Sequence, residues 1–97
     1  MKEIRCVWDH DKAAGNQKKH GICFMEAETV FYDEFARVRY DPDHSDDEDR
    51  FIILGMSDLL RVLVVCHCYR EQDTVIRIIS ARKATKHEQR QYKAFKQ

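Results

Sequence analysis

Apolar and polar positions alternate with period two over several stretches of the chain, and with helical spacing over others. In EIRCVW, residues 3 to 8, Ile4, Cys6 and Trp8 fall on one side, which predicts a short strand with one packed face. Asp9 is placed to cap a helix through DKAAGNQKKH, and Gly21 to end it in a left-handed conformation. Phe24, Ala27, Val30 and Phe31 recur at helical spacing and predict a short second helix over residues 25 to 32, with Glu26 and Glu28 turned outward. FARVRY (35–40) reads as a strand. RFIILGMS (50–57) and RVLVVCHCY (61–69), rich in branched apolar residues and separated by DLL, give the clearest strand signals, and TVIRIISA (74–81) follows as the third strand of a meander. From Thr85 the pattern becomes helical, with Glu88 three residues on completing a capping-box signature and Tyr92 and Phe95 on the apolar side. A twisted antiparallel sheet with helices against one face, an α+β domain spanning 1–97, is the economical arrangement.

The chain has 97 residues, room for one modest core. No apolar run approaches the roughly 20 residues of a membrane span, and MKEIR lacks a signal-peptide layout, so a cytoplasmic protein is expected. Net charge is zero, yet residues 41–49 hold six acids and no Lys or Arg, while residues 70–97 hold eight Lys or Arg against three acids. Such a basic end suits a phosphate-bearing partner or is an ordinary solvated helix face. Cys6, Cys23, Cys66 and Cys68 lack zinc-site spacing and read as reduced thiols, with Cys66 and Cys68 on one side of their strand. His44 among Asp41, Asp43, Asp46 and Asp47 misses the pattern of a calcium loop, and no glycine-rich phosphate loop is present; neither a metal nor an organic cofactor is expected.

Three ordered motifs carry a family resemblance. They are W8-D9-x-x-K12-x-x-x-N16-x-x-K19-H20-G21, then F24-x-x-A27-x-x-V30-F31-x-D33, then I76-R77-I78-I79-S80-A81-R82-x-A84-T85-x-x-E88-x-x-x-Y92. Together they span nearly the whole chain, and it resembles the BrnT family of bacterial toxin ribonucleases. The resemblance implies a RelE-like fold and metal-independent cleavage of RNA. It also implies neutralisation by a ribbon-helix-helix antitoxin that binds operator DNA, with a dimeric antitoxin joining two toxin chains in a heterotetramer.

Metal-free cleavage by the ribose 2′-hydroxyl needs a base, charge stabilisation at the phosphorane and a proton for the departing 5′-oxygen. Arg77 and Arg82 are the first candidates for the phosphate, because a guanidinium binds two oxygens and stays charged. On a regular strand Arg77 shares a side with Val75 and Ile79, and Arg82 stands where strand gives way to helix. His20 is read either as a proton-transfer group or as a cap on the last carbonyls of its helix. His67 either lines an exposed sheet face or packs. Lys12, Lys19 and Lys83 are candidates for attracting RNA; Lys12, Asn16 and Lys19 form one stripe that faces RNA or water. Trp8 is expected in the core, and Tyr92 either stacks or packs. The alternative function is a catalytically inactive protein-binding module that stabilises a DNA-binding partner.

Overall fold

The computed structural model describes residues 4–97, so Glu3, the first residue of the expected N-terminal strand, lies outside the described residues. Strand β1 (Arg5–Val7) leads into α1 (His10–His20), α2 (Phe24–Thr29) and a 3-10 turn (Val30–Tyr32), and a second 3-10 turn (Pro42–His44) lies between the second and third strands. Then come β2 (Arg37–Tyr40), β3 (Phe51–Met56), β4 (Val62–Arg70), β5 (Val75–Lys83) and α3 (Lys86–Phe95). The strands form one sheet in the order β1-β5-β4-β3-β2. Neighbours from β2 to β5 are antiparallel, as a meander requires, while β1 joins β5 in parallel, reaching the sheet before the two N-terminal helices cross its face.

The ends of α1 follow the sequence closely. Asp9 Oδ2 accepts from the Lys12 amide at 3.0 Å, and Gly21 takes φ 71°, where its amide bonds to Gln17. The expected helix over 25–32 is tighter at its end, because Val30–Tyr32 continues as a 3-10 turn. That turn brings Val30 so close to β3 that a Cβ on Gly55 would lie 2.8 Å from Val30 Cγ1 and 2.7 Å from Ala36 Cβ, so only glycine fits there.

Register divides the sheet into two faces. Ile53 pairs with Val65 and Val65 with Ala81; these residues, with Leu63 and Ile78, pack against Ile22, Phe24, Ala27 and Val30 in one buried cluster. Trp8 flanks it, edge-on to Phe24 at 6.0 Å, as expected of a core anchor. On the other face lie Ile52 and Leu54 of β3, Val64, Cys66 and Cys68 of β4, and Arg37 and Arg39 of β2. Helix α3 returns toward this second face at its β2–β3 end. Tyr92 is buried and its hydroxyl donates to Asp33 Oδ2 at 2.6 Å, and the Arg37 guanidinium lies 5.1 Å from the Phe95 ring centre.

Two outward expectations are corrected on the helix-covered face. Asn16, expected on a stripe with Lys12 and Lys19, turns inward: its amide donates to the carbonyls of Ile22 and Ala81, both at 2.9 Å, and accepts from the Ala81 amide at 3.0 Å. A carboxamide is the one side chain of its size that satisfies a strand N–H and C=O together. Glu26, expected to look outward, is buried, where it pairs with Arg61 and accepts from Ser57 Oγ at 2.7 Å. Those donors, Arg61 first, hold its carboxyl below the usual carboxylate range despite burial.

Candidate active site on the open face of the sheet

Arg77 and Arg82 are five residues apart, so uninterrupted alternation would put them on opposite faces. A β-bulge prevents this. His67 pairs with Ile78 but Cys66 with Ser80, leaving Ile79 as the extra residue, and the alternation is reset. Arg77 then stands opposite Cys68 and Arg82 opposite Val64, positions four apart on β4 and hence on one face, roughly 13 Å from each other along the strand. Across the same face Arg37, Leu54, Val64 and Arg82 form one cross-strand row, and Arg39, Ile52, Cys66 and Ser80 the next. An apolar floor is thus bordered by guanidinium groups.

A cavity of about 270 Å³ opens on this face, lined by Asp41, His44, Arg50, Ile52, Val64, Cys66, Ile79, Ser80 and Arg82. The acidic loop supplies one wall. Its two ends are joined by the Asp41 amide donating to the Arg50 carbonyl at 2.9 Å, and the Arg50 amide donates to Ser45 Oγ at 2.9 Å. Asp41 is 5% exposed and its Oδ2 lies 2.8 Å from His44 Nδ1. A carboxylate can only accept, so this contact assigns the proton to Nδ1 and leaves His44 Nε2 as the ring's free nitrogen. Burial raises the Cys66 thiol above its ordinary range, against the pull of nearby Arg50.

Arg82 is less free than its sequence position suggests. Its Nη1 and Nη2 donate to the two carboxylate oxygens of Glu88, at 2.8 and 3.0 Å. Glu88 also completes the capping box with Thr85, and the Arg82 donors, then the Thr85 amide, hold its carboxyl down to about 2. Arg77 is half-buried and, among the described residues, its guanidinium makes no hydrogen bond or ion pair; Glu48 feels its charge.

The remaining predicted residues lie elsewhere. Of the two readings of His67, the structure takes packing: it is 0% exposed, on the helix-covered side, with its ring 4.8 Å from Phe31 and 5.2 Å from Tyr69. Burial pushes its pKa down to about 4. His20 is half-buried in the last turn of α1, and Lys12 and Lys19 are exposed on the same helix, across the sheet from Arg82. Lys83 follows Arg82 and so projects to the opposite side, where Glu26 feels its charge. Sequence reasoning did not name the cavity-lining Asp41, His44 and Arg50 as catalytic candidates, nor Arg37 and Arg39 of the same face as RNA-binding ones. The alternating arginines of FARVRY were a visible signal for the last two; Asp41 and His44 stood together in the sequence only as a failed calcium-loop pattern, and nothing there showed that the loop would close over the sheet. All four cysteines are free thiols, and among the described residues no three His, Cys, Asp or Glu side chains converge as metal ligands.

No curated protein matches the sequence at a significant level. Among solved structures, the fold is similar to the 1.1 Å crystal structure of the Brucella abortus ribonuclease toxin BrnT. The TM-score is 0.62 at 22% identity, over 87% of this chain and 100% of that one, a likeness that shows a shared RelE-like α+β fold. The family described as "Ribonuclease toxin, BrnT, of type II toxin-antitoxin system" matches residues 8–88. That match covers well over half of the sequence, and the chain therefore belongs to the BrnT family of ribonuclease toxins.

Proposed function

We propose that this toxin cleaves RNA in the cavity on the open face of its sheet, with no metal or organic cofactor taking part. The observation that carries the reading is the convergence there of Arg50, Arg82 and a histidine held by a buried carboxylate. The 2′-hydroxyl gives its proton to His44 Nε2 and its oxygen attacks the adjacent phosphorus. Arg82 and Arg50 stabilise the charge that grows on the nonbridging oxygens. The bond to the 5′-oxygen breaks, that oxygen takes a proton from water, and a 2′,3′-cyclic phosphate remains. Arg77, further along the same face, holds the neighbouring phosphate. Lys12, Lys19 and Lys83 act at longer range on the approach of RNA, and His20, in the last turn of α1, meets the negative end of the helix dipole rather than moving a proton.

The family works within a toxin-antitoxin pair, so a protein antitoxin is the partner. Its finer features are part of the proposal: a ribbon-helix-helix dimer that binds operator DNA, joins two copies of this single domain in a heterotetramer, and lays an acidic or mixed-charge segment over Arg82 and α3. Among the described residues no helix is long and apolar enough to cross a membrane, and a cytoplasmic site of action fits the reading. Single-turnover cleavage of RNA by the free protein in EDTA tests the core of it. Cleavage that is lost in folded Arg50→Ala and Arg82→Ala proteins is expected. Activity that vanishes in EDTA and returns with a divalent ion would transfer the chemistry to a metal. A folded, antitoxin-binding protein that cleaves no RNA under any condition would instead make it an inactive protein-binding module.

A further inference from the structure

An arginine offers two pairs of parallel N–H groups, an end fork of Nη1 and Nη2 and a side fork of Nε and Nη2. In Arg82 the end fork is filled by Glu88, with Nη1 to Oε1 at 2.8 Å and Nη2 to Oε2 at 3.0 Å. The second Nη1 hydrogen reaches the Lys83 carbonyl at 3.3 Å. Nη1 is therefore used up. Among the described residues nothing accepts from Nε or from the second Nη2 hydrogen, so one complete fork is left over on a side chain that is 42% exposed and lines the cavity.

Glu88 is itself fixed from behind. Its Oε1 accepts from the Thr85 amide at 2.8 Å, while Thr85 Oγ1 accepts from the Glu88 amide at 3.2 Å. The helix that carries Glu88 is tied to the body of the protein by the Tyr92 hydroxyl on Asp33. Asp33 in turn accepts from the Met56 amide at the end of β3, at 2.8 Å. A continuous set of hydrogen bonds thus runs from the sheet through α3 to the guanidinium. An otherwise mobile four-bond side chain is held in one orientation before substrate arrives, which is where preorganised charge gains its advantage.

The geometry points to Glu88 as the positioning residue for Arg82: by filling the end fork it presents the side fork, Nε–H and Nη2–H, to a phosphate of the RNA in the cavity. This rests on the ribonuclease reading above. One carboxylate can fill only one of the two forks, so the Glu88 pair leaves the side fork open to a second anion. A Glu88 that served α3 alone would have no need of Arg82, since the capping box is complete through Thr85.

Two substitutions separate these roles. Glu88→Gln keeps a side chain that closes a capping box but removes the second anionic oxygen from the fork. Thr85→Ala removes the cap hydroxyl and leaves the Arg82–Glu88 pair in place. Glu88→Gln is expected to lower the single-turnover rate at saturating RNA at least tenfold, with KM not raised, while the melt falls no further than in Thr85→Ala; Thr85→Ala is expected to lower the melt and keep the rate. The Nε–H resonance of Arg82, assigned by its absence in Arg82→Lys, is expected to shift with added inorganic phosphate in the wild type and much less in Glu88→Gln. Wild-type rate in Glu88→Gln, or tighter RNA binding with rate retained, would overturn the inference and make the carboxylate a bystander or a competitor. Parallel loss of rate and melt in both variants would reduce it to a helix cap. The phosphate titration decides the fork even if the protein cleaves no RNA. An Nε–H that ignores phosphate in the wild type overturns the inference while leaving the ribonuclease reading to the cleavage assay.

Discussion

The two faces of the sheet use polar side chains in opposite ways. On the helix-covered face the buried polar groups are committed, Asn16 to Ala81 and Ile22, Glu26 to Arg61 and Ser57, and His67 to the Val65 carbonyl and Tyr69 hydroxyl, and half-buried Asp33 likewise bonds two backbone amides and Tyr92. On the open face donors are left over, on Arg77, on one fork of Arg82 and around the cavity beside Arg50 and His44. The difference teaches where to look for chemistry. A polar residue whose hydrogen bonds all end within the protein holds the fold, and the site lies where capacity remains for a substrate. Many residues of the three family motifs fall in the first class. Asp9, Gly21 and Thr85 cap helices, Phe24, Ala27 and Val30 fill the core, and Asn16, Asp33 and Tyr92 join elements.

The contrast is broken most severely by attacking the closed face. Asn16→Ala leaves the Ala81 amide and two carbonyls buried without partners, at about 1–3 kcal/mol each when unsatisfied. A loss of roughly 4 kcal/mol in urea denaturation is expected, with cleavage per folded molecule largely retained. A stability change below about 1 kcal/mol would place the amide in solvent and remove it from the joint between α1 and β5.

His67 gives the closed face a pH signature. Its folded pKa of about 4 lies below the ordinary 6.5, so the unfolded chain binds more protons between those values. The stabilisation is complete above pH 6.5 and is lost as pH falls through that window, by up to roughly 3 kcal/mol. Glu88 acts lower, between 4.5 and about 2, and in the same direction. Unfolding free energies measured from pH 7 to pH 4 should show this slope, and His67→Gln should flatten it. An unchanged slope in His67→Gln would assign the acid sensitivity to other groups.

The open face answers differently. Arg82→Ala should slow cleavage by roughly 10², a loss typical of one charge-stabilising donor, while stability shifts by less than about 1 kcal/mol, because the Arg82–Glu88 pair is partly exposed. Arg82→Lys should recover little, since an ammonium has no second fork to offer. Single-turnover cleavage beside thermal unfolding separates the two effects; collapse of the melt would move Arg82 to the structural class.

Much of this was legible from the sequence, because strands announced by branched residues and helices announced by caps depend on local spacing. Asp9, Gly21 and the Thr85–Glu88 box occupy the positions their spacing implies. The site was harder to read because it depends on events between segments. Nothing in IRIISAR marks the bulge that carries Arg82 to the side of Arg77, with no Gly or Pro to flag it. A loop of six acids reads as solvated, yet its closure buries Asp41 and turns His44 and Arg50 into the cavity. Asn16 and Glu26 were misread as outward for the related reason that polarity alone does not tell a solvated side chain from one with a buried partner.

The smallest expected effect sharpens the comparison at its margin. Arg39 lies on the open face opposite Ile52, exposed, one strand beyond the cavity, where a single-stranded RNA would pass without reacting. Arg39→Ala should therefore leave the rate at saturation unchanged and weaken RNA binding a few-fold, reducing the slope of log affinity against log salt by about 0.7, the value for one phosphate contact to a single strand. Lys12→Ala, on α1 across the sheet, should change that slope less, because no phosphate bound in the cavity reaches that side. Filter binding of an uncleavable 2′-deoxy oligonucleotide over a salt series measures both. Equal slopes for the two variants would mean that the RNA track wraps both faces, and the division between a structural face and a functional one would then hold for the reacting phosphate alone.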